Sequence, residues 1–316
     1  MTKIFANLLY SLLYLLSLLP LKFLYKISDL ISFFLFKVFR YRMNVVYTNL
    51  ARSFPNMKYS ELNKEVKKYY QYLGDMTVES IWCLSASPKQ LKSLIKIQNP
   101  ELMYKQLSRD SNMLFVVGHS GNWELLLIAI SKASDYMRAK SSASKEINPF
   151  YTVYKSAKGK VVDLMVKKMR ARRYNDLNLK GELICSKKVI RKIFKSRNTI
   201  GSYGFIADQS PSSSDKFVIN FLNQPTYMIA GPEYLARKLN MGVTYMYMNR
   251  IKRGDYEVKY TEITENAANE EDGFVISKFS KLLEKDIISN PYNWLWSHKR
   301  WKREIIGEDL NRIKIN

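Results

Sequence analysis

The chain has 316 residues, with 51 Lys and Arg against 28 Asp and Glu, a formal net charge of +23. That length buries one substantial α/β core, or one core plus an anchor, and the charge selects acidic partners such as nucleic acid, anionic lipid headgroups or an acidic carrier protein. Two cysteines in apolar settings, Cys83 and Cys185, and two distant histidines, His119 and His298, argue against a disulfide framework and against a zinc site.

Residues 4–19 carry no charge and end at Pro20, and a second apolar run spans Ile31 to Phe39. The first run is short of the roughly 20 apolar residues that a spanning helix needs. Leu18-Leu19-Pro20 offers no small-residue cleavage site for a signal peptide. Tyrosines and the flanking Lys22, Lys26, Lys37, Arg40 and Arg42 suit a membrane interface with the basic side cytoplasmic. The segment 1–42 reads as an uncleaved anchor, spanning or lying in the interface, with a buried core helix as the alternative. The remainder, 43–316, reads as one domain. Helices are expected from Arg42 to the break at Phe54-Pro55, and from Ser60, as N-cap, to Leu84.

The stretch Met113-Leu-Phe-Val-Val-Gly-His119-Ser-Gly-Asn-Trp-Glu124 then reads as strand, turn and helix start. Its continuous apolar run predicts a buried strand over 113–117. Asn122 is a plausible N-cap for a helix beginning at Trp123. This order puts His119 where a strand leaves the sheet and Glu124 in the first helical turn. A carboxylate five residues on can reach back to the imidazole, fix its tautomer and leave the other nitrogen as a general base. The helix N-terminus also offers N–H groups to an oxyanion, with those of Gly121 to Trp123 as candidates. By itself the spacing is more often that of a polar pair capping a strand end; the strand–turn–helix setting and the two glycines favour the chemical reading.

A polar loop is expected at Ser141–Ser144, a strand over Phe150–Tyr154 and a helix from about Lys160 to Arg173. That helix has Lys167, Lys168, Arg170, Arg172 and Arg173 crowded in its C-terminal half, either solvated surface or a contact for phosphate or a carrier. Residues 182–197 repeat the apolar and basic pattern. A strand over Ile200–Ala207 ends in Asp208-Gln209, followed by a polar loop from Ser210 to Asp215. A helix starts at Gly231-Pro232, and strands over 243–248 and 256–260 are joined at Gly254-Asp255. Trp294, Trp296 and Trp301 lie among Arg and Lys near the end, as an interfacial belt or as a lock for a C-terminal helix. Alternation of strands and helices from 113 to 260 gives the α/β class.

His119-Ser-Gly-Asn-Trp-Glu124 resembles the signature of the bacterial lipid A biosynthesis lauroyl/myristoyl (late) acyltransferases, within the wider His-x4-Asp/Glu glycerolipid acyltransferase group. The resemblance continues through Asn49-Leu50, Phe54-Pro55, Glu79, Asp208-Gln209, the block from Phe217 to Tyr227, and Pro291-Tyr-Asn-Trp-Leu-Trp-Ser-His298-Lys-Arg300-Trp301. Two positions depart from it: Lys155 stands where arginine is common, and Asn223 where glycine is frequent. The resemblance implies a mixed central sheet covered by helices, and an enzyme of the cytoplasmic face of the inner membrane. It also implies acyl-acyl-carrier-protein as donor and a membrane glycolipid, a lipid A precursor, as acceptor. The candidate catalytic residues are His119 and Glu124. Asn122, Lys155, Asp208 and Gln209 are candidates for substrate binding, with no metal and no cofactor expected.

Other readings are weaker. Ser120 as a hydrolase nucleophile fails the Gly-x-Ser-x-Gly pattern, since Gly118-His-Ser120-Gly121 misplaces a glycine. A basic protein that binds nucleic acid or merely associates with membranes is permitted by charge, but no nucleic-acid module is recognisable. Acylation of another membrane glycolipid or of a lysophospholipid remains open.

Overall fold

A computed structural model describes residues 2–140, 146–157, 159–195, 199–211, 217–305 and 313–314. The loops expected at Ser141–Ser144 and over 212–215 lie outside the described residues. In chain order come α1 (Thr2–Ser17), α2 (Leu21–Phe33, extended by a π-helical turn Phe34–Val38), α3 (Met43–Ser53), α4 (Tyr59–Trp82), α5 (Pro88–Ser93), β1 (Ile95–Ile97), α6 (Pro100–Leu107) and β2 (Met113–Val117). A 3-10 turn, Trp123–Leu125, then leads into α7 (Leu126–Lys140). The chain continues through β3 (Phe150–Tyr154), α8 (Lys160–Asp176), β4 (Leu183–Cys185), α9 (Val189–Lys195), β5 (Ser202–Ile206), β6 (Val218–Phe221) and β7 (Gln224–Tyr227). The last elements are α10 (Gly231–Lys238), β8 (Gly242–Lys252), β9 (Asp255–Thr264), α11 (Phe274–Ser289) and β10 (Ile313–Lys314).

The main sheet has seven strands in the order β1-β9-β8-β2-β5-β3-β4, so β2 is its middle strand. β8, β2, β5, β3 and β4 run parallel, while β9 is antiparallel to β8 and carries β1 alongside. From β2 the chain first builds outward on one side through β3, β4 and β5, then crosses to β8 and β9 on the other. A crevice therefore opens beyond the C-terminal end of β2, the usual ligand position in open α/β sheets.

All five β2 residues are buried because both faces of the sheet are covered, which is why the strand reads as an unbroken apolar run. Alternation of its side chains divides the core. Leu114 and Val116 pack with Tyr69, Leu235, Phe279 and Leu283 of α4, α10 and α11. Met113, Phe115 and Val117 pack with Leu91, Met103 and Ile128 of α5, α6 and α7 on the opposite face. In a second, small sheet, β6 and β7 form a hairpin whose turn residues Leu222 and Asn223 have φ of +52° and +61°. Asn223 thus serves where glycine would be easiest, since asparagine tolerates the left-handed region.

The block from Pro291 to Trp301 is a 3-10 turn followed by irregular backbone. Two expectations are corrected here. Residues 182–197 begin as strand β4 rather than helix, because β4 closes the sheet edge beside β3. The N-cap of α4 is Lys58, not Ser60. Cys83 is a buried free thiol as expected, whereas Cys185 is half-buried.

No single helix among the described residues is long and apolar enough to cross a membrane; α1 and α2 pass only as a pair bent by 117°. Both lie on the domain. α1 packs along α8 through Tyr10, whose ring lies 4.2 Å from Lys168 Nζ and whose hydroxyl takes a 3.2 Å hydrogen bond from Arg172. α2 packs along α4 and buries Leu24 and Ser28. The outward faces are apolar: Ile4, Phe5, Leu8, Leu12 and Leu15 of α1, and Leu30 and Phe33 of α2, are each more than half exposed.

Candidate active site

Parallel pairing of β2 with β5 matches Val117 to Ile206, and two residues further on each strand stand His119 and Asp208. The two therefore leave the sheet side by side. His119 Nδ1 lies 2.5 Å from Asp208 Oδ1, and the His119 backbone N–H donates to Asp208 Oδ2 at 2.7 Å. Trp294 Nε1 donates to the same Oδ2 at 2.7 Å. Burial raises the Asp208 carboxyl, but the His119 charge and these hydrogen bonds outweigh it and bring it down to about 2. An ionised carboxylate at Nδ1 fixes the proton there and leaves Nε2 as the free basic nitrogen. Gln209 Nε2 lies 3.2 Å from that Nε2, and Trp123 packs edge-on against the imidazole at 4.9 Å between centroids.

Glu124, expected to orient the imidazole, makes no hydrogen bond to it among the described residues. Glu124 turns away to Arg170, whose Nε donates to Oε2 at 3.0 Å while its Nη2 donates to Oε1. Arg173 Nη1 donates to the Glu124 carbonyl. Burial raises the Glu124 carboxyl, but these two arginines more than offset it and hold it below the usual range. A two-point arginine clamp is stronger than one bond to a ring nitrogen, so the carboxylate follows the guanidinium of α8. Most of the basic side chains in this half of α8 are thus engaged within the protein, although Lys168 is exposed. Arg170 and Arg173 hold Glu124, Lys168 and Arg172 hold α1, and Lys167 pairs with Asp163.

Asn122 is the expected cap, its Oδ1 accepting the Glu124 N–H at 3.2 Å. It is also fully buried, with Nδ2 donating to Glu79 Oε2 at 3.0 Å, so it supports the turn and does not face a substrate. Gly121 has φ of +58°, and a Cβ there would come within 2.7 Å of the Met248 carbonyl oxygen. Its N–H donates to Asn293 O at 3.1 Å and its carbonyl accepts from Tyr72 OH at 2.6 Å. The Gly121 N–H is therefore withdrawn from the oxyanion role. Lys155 is exposed and lines, with Tyr154, Asp163, Lys167 and Arg170, a cleft of about 190 Å³ between β3 and α8.

The C-terminal block runs beneath this turn. Trp294 forms an antiparallel bridge with Ser120, stacks edge-on with Trp296 and Trp301, and is 2% exposed. His298 accepts the Ser210 N–H at Nε2 at 3.2 Å, and burial pushes its imidazole down to about 4. The contacts of Asp208 with Trp294, Glu124 with Arg170 and Asn122 with Glu79 went unseen in the sequence, since each joins segments at least 43 residues apart. Trp294 was noticed, but its spacing signals packing and says nothing of where its N–H points.

The sequence profile of the family described as bacterial lipid A biosynthesis acyltransferase matches residues 1–303. No curated protein sequence matches the chain. A match over nearly the whole length, with the His119 turn at the centre of the sheet, places this chain in the bacterial lipid A biosynthesis acyltransferase family, enzymes that transfer acyl groups.

Proposed function

We propose that this acyltransferase moves a fatty acyl chain from an acyl-carrier-protein thioester to a hydroxyl of a lipid A precursor, at the cytoplasmic face of the inner membrane. The observation that carries the reading is the His119 imidazole pinned at Nδ1 by Asp208, with Nε2 turned toward Gln209. Nε2 takes the proton of the acceptor hydroxyl as its oxygen attacks the thioester carbonyl. The C–S bond of the tetrahedral intermediate then breaks, and the thiolate leaves with the proton from the imidazolium. Asp208 stabilises that imidazolium. The Gln209 amide marks where the acceptor hydroxyl docks, since both need the same nitrogen. In the first turn the Glu124 and Leu125 N–H groups are taken by Asn122, which leaves the Trp123 N–H as the donor for the developing oxyanion. A thioester is already activated, so the path needs neither an acyl-enzyme nor a cofactor.

The outward apolar faces of α1 and α2 support attachment to the bilayer surface by helices lying in the interface, with Lys22, Lys26, Lys37 and Arg40 toward anionic headgroups. With most cations of α8 already paired, the acidic carrier docks on the exposed Lys187, Lys188 and Arg191 beside β4. The test is acyl transfer from labelled acyl-acyl-carrier-protein to a lipid A precursor in mixed micelles. Product of the added acyl mass supports the reading; transfer only to another glycolipid or a lysophospholipid overturns the acceptor assignment.

A further inference from the structure

Glu79 lies in the last turn of α4, has no solvent-exposed surface, and none of the chemistry above uses it. Four donors converge on its carboxylate. Tyr25 OH of α2 (2.8 Å) and the Gly254 N–H (3.2 Å) reach Oε1. Asn122 Nδ2 (3.0 Å) and Tyr256 OH (2.5 Å) reach Oε2. Burial pushes the carboxyl up, while the bonds from Tyr256, Asn122 and Tyr25 oppose it. An acceptor-only carboxylate satisfied by four donors is a rigid fixture, and its one partner from the catalytic turn is Asn122.

Asn122 passes this constraint on. Nδ2 held by Glu79 fixes which way the amide faces, and so aims Oδ1 at the Glu124 N–H. That bond starts the helical turn immediately after His119. Tyr25 belongs to the helix whose outer face is apolar, so the same carboxylate joins that helix to the turn.

We propose that Glu79 is a positioning residue that acts through Asn122 to set the His119 turn, and that Tyr25 ties this setting to helix α2. For the reaction this rests on the acyltransfer reading. Its geometric content does not, because the chain has only two histidines and the His119 imidazole can be followed by NMR.

The experiment uses the full-length protein in detergent with labelled histidine, His119 being identified by its loss in His119→Gln. Glu79→Gln and Asn122→Ala shift the His119 signal alike, and the double variant shifts it no further. Tyr25→Phe gives a smaller shift in the same direction. Asp75→Asn is the control: this buried carboxylate, one turn earlier on α4, pairs with Arg250 and Arg253 and does not reach Asn122. It lowers the thermal midpoint but leaves the His119 signal in place. In the transfer assay Glu79→Gln and Asn122→Ala each lower kcat by about 10- to 100-fold with little change in KM for the carrier, the cost of a slightly misplaced catalytic group. Additive shifts of the His119 signal, or a shift with Asp75→Asn as large as with Glu79→Gln, overturn the inference whatever the substrate. An inactive wild-type enzyme with the expected signal pattern overturns the acyltransfer reading alone.

Discussion

His119 and Asp208 face one another because Val117 and Ile206 are register partners on adjacent parallel strands. Both strands end at the same edge, and each chain then supplies its functional side chain two residues later. The pair thus depends on the pairing of the middle strand with its neighbour, 89 residues apart in sequence. Glu124, five residues from His119 and nearer along the chain, is captured instead by α8.

Glu124→Gln tests that capture. Loss of the carboxylate leaves Arg170 half-paired in a mostly buried setting, and the fold loses about 2 kcal/mol. Urea unfolding at low and high salt should give the same loss, since a shielded pair is poorly screened. A Glu124→Gln protein as stable as wild type contradicts the role of the clamp.

The secondary structure around the site was legible because its signals are local. An unbroken apolar run bounded by glycine gave β2, Asn122 before Trp123 gave the cap, and Phe150–Tyr154 was read to the residue. Helix α11 passed unread because Gly273, not a side-chain cap, begins it and no basic residue closes its last turn. The partner of His119 was misread for a physical reason: spacing along the chain shows what can reach, while the sheet register decides what is adjacent. Buried groups such as Asp75, Glu79 and Arg300 look like surface residues in sequence, because burial of a charge is set by partners far along the chain.

Carrier docking is tested on the surface that the structure leaves open. Reversal of Lys187, Lys188 and Arg191 to glutamate should raise KM for acyl-acyl-carrier-protein several-fold at low salt, and the difference should shrink as the screening length falls to about 8 Å at physiological salt. An unchanged KM at low salt removes this face from consideration.

The membrane reading is tested without removing whole helices, because α2 contributes Leu24, Ser28 and Tyr25 to the interior. Aspartate at Leu8, Leu12 and Leu15 together should leave the fold intact and release the protein from vesicles in a salt wash, since burying those side chains is worth about 1.5–3 kcal/mol each. Full retention of the folded variant contradicts an interfacial α1.

Acid sensitivity follows from His298. In the fold its imidazole stays neutral down to about pH 4, held there by burial, whereas the unfolded chain takes up a proton near 6.5. The unfolded state therefore binds more protons between these values, and this residue costs stability as pH falls from 6.5 to 4. His298→Gln should flatten that part of the thermal-midpoint curve relative to wild type. Parallel curves over the interval contradict a neutral buried His298.

The most direct measurement is single-turnover acyl transfer by Asp208→Asn, with Ser120→Ala and wild type alongside and folding checked by circular dichroism. An asparagine keeps the shape but neither stabilises the imidazolium nor enforces the tautomer, so the rate should fall by about 10²- to 10⁴-fold at unchanged carrier affinity. Ser120→Ala, which removes a buried hydroxyl without a hydrogen-bond partner among the described residues, should stay within about two-fold of wild type. A folded Asp208→Asn enzyme that transfers acyl chains at the wild-type rate would contradict the His119–Asp208 mechanism.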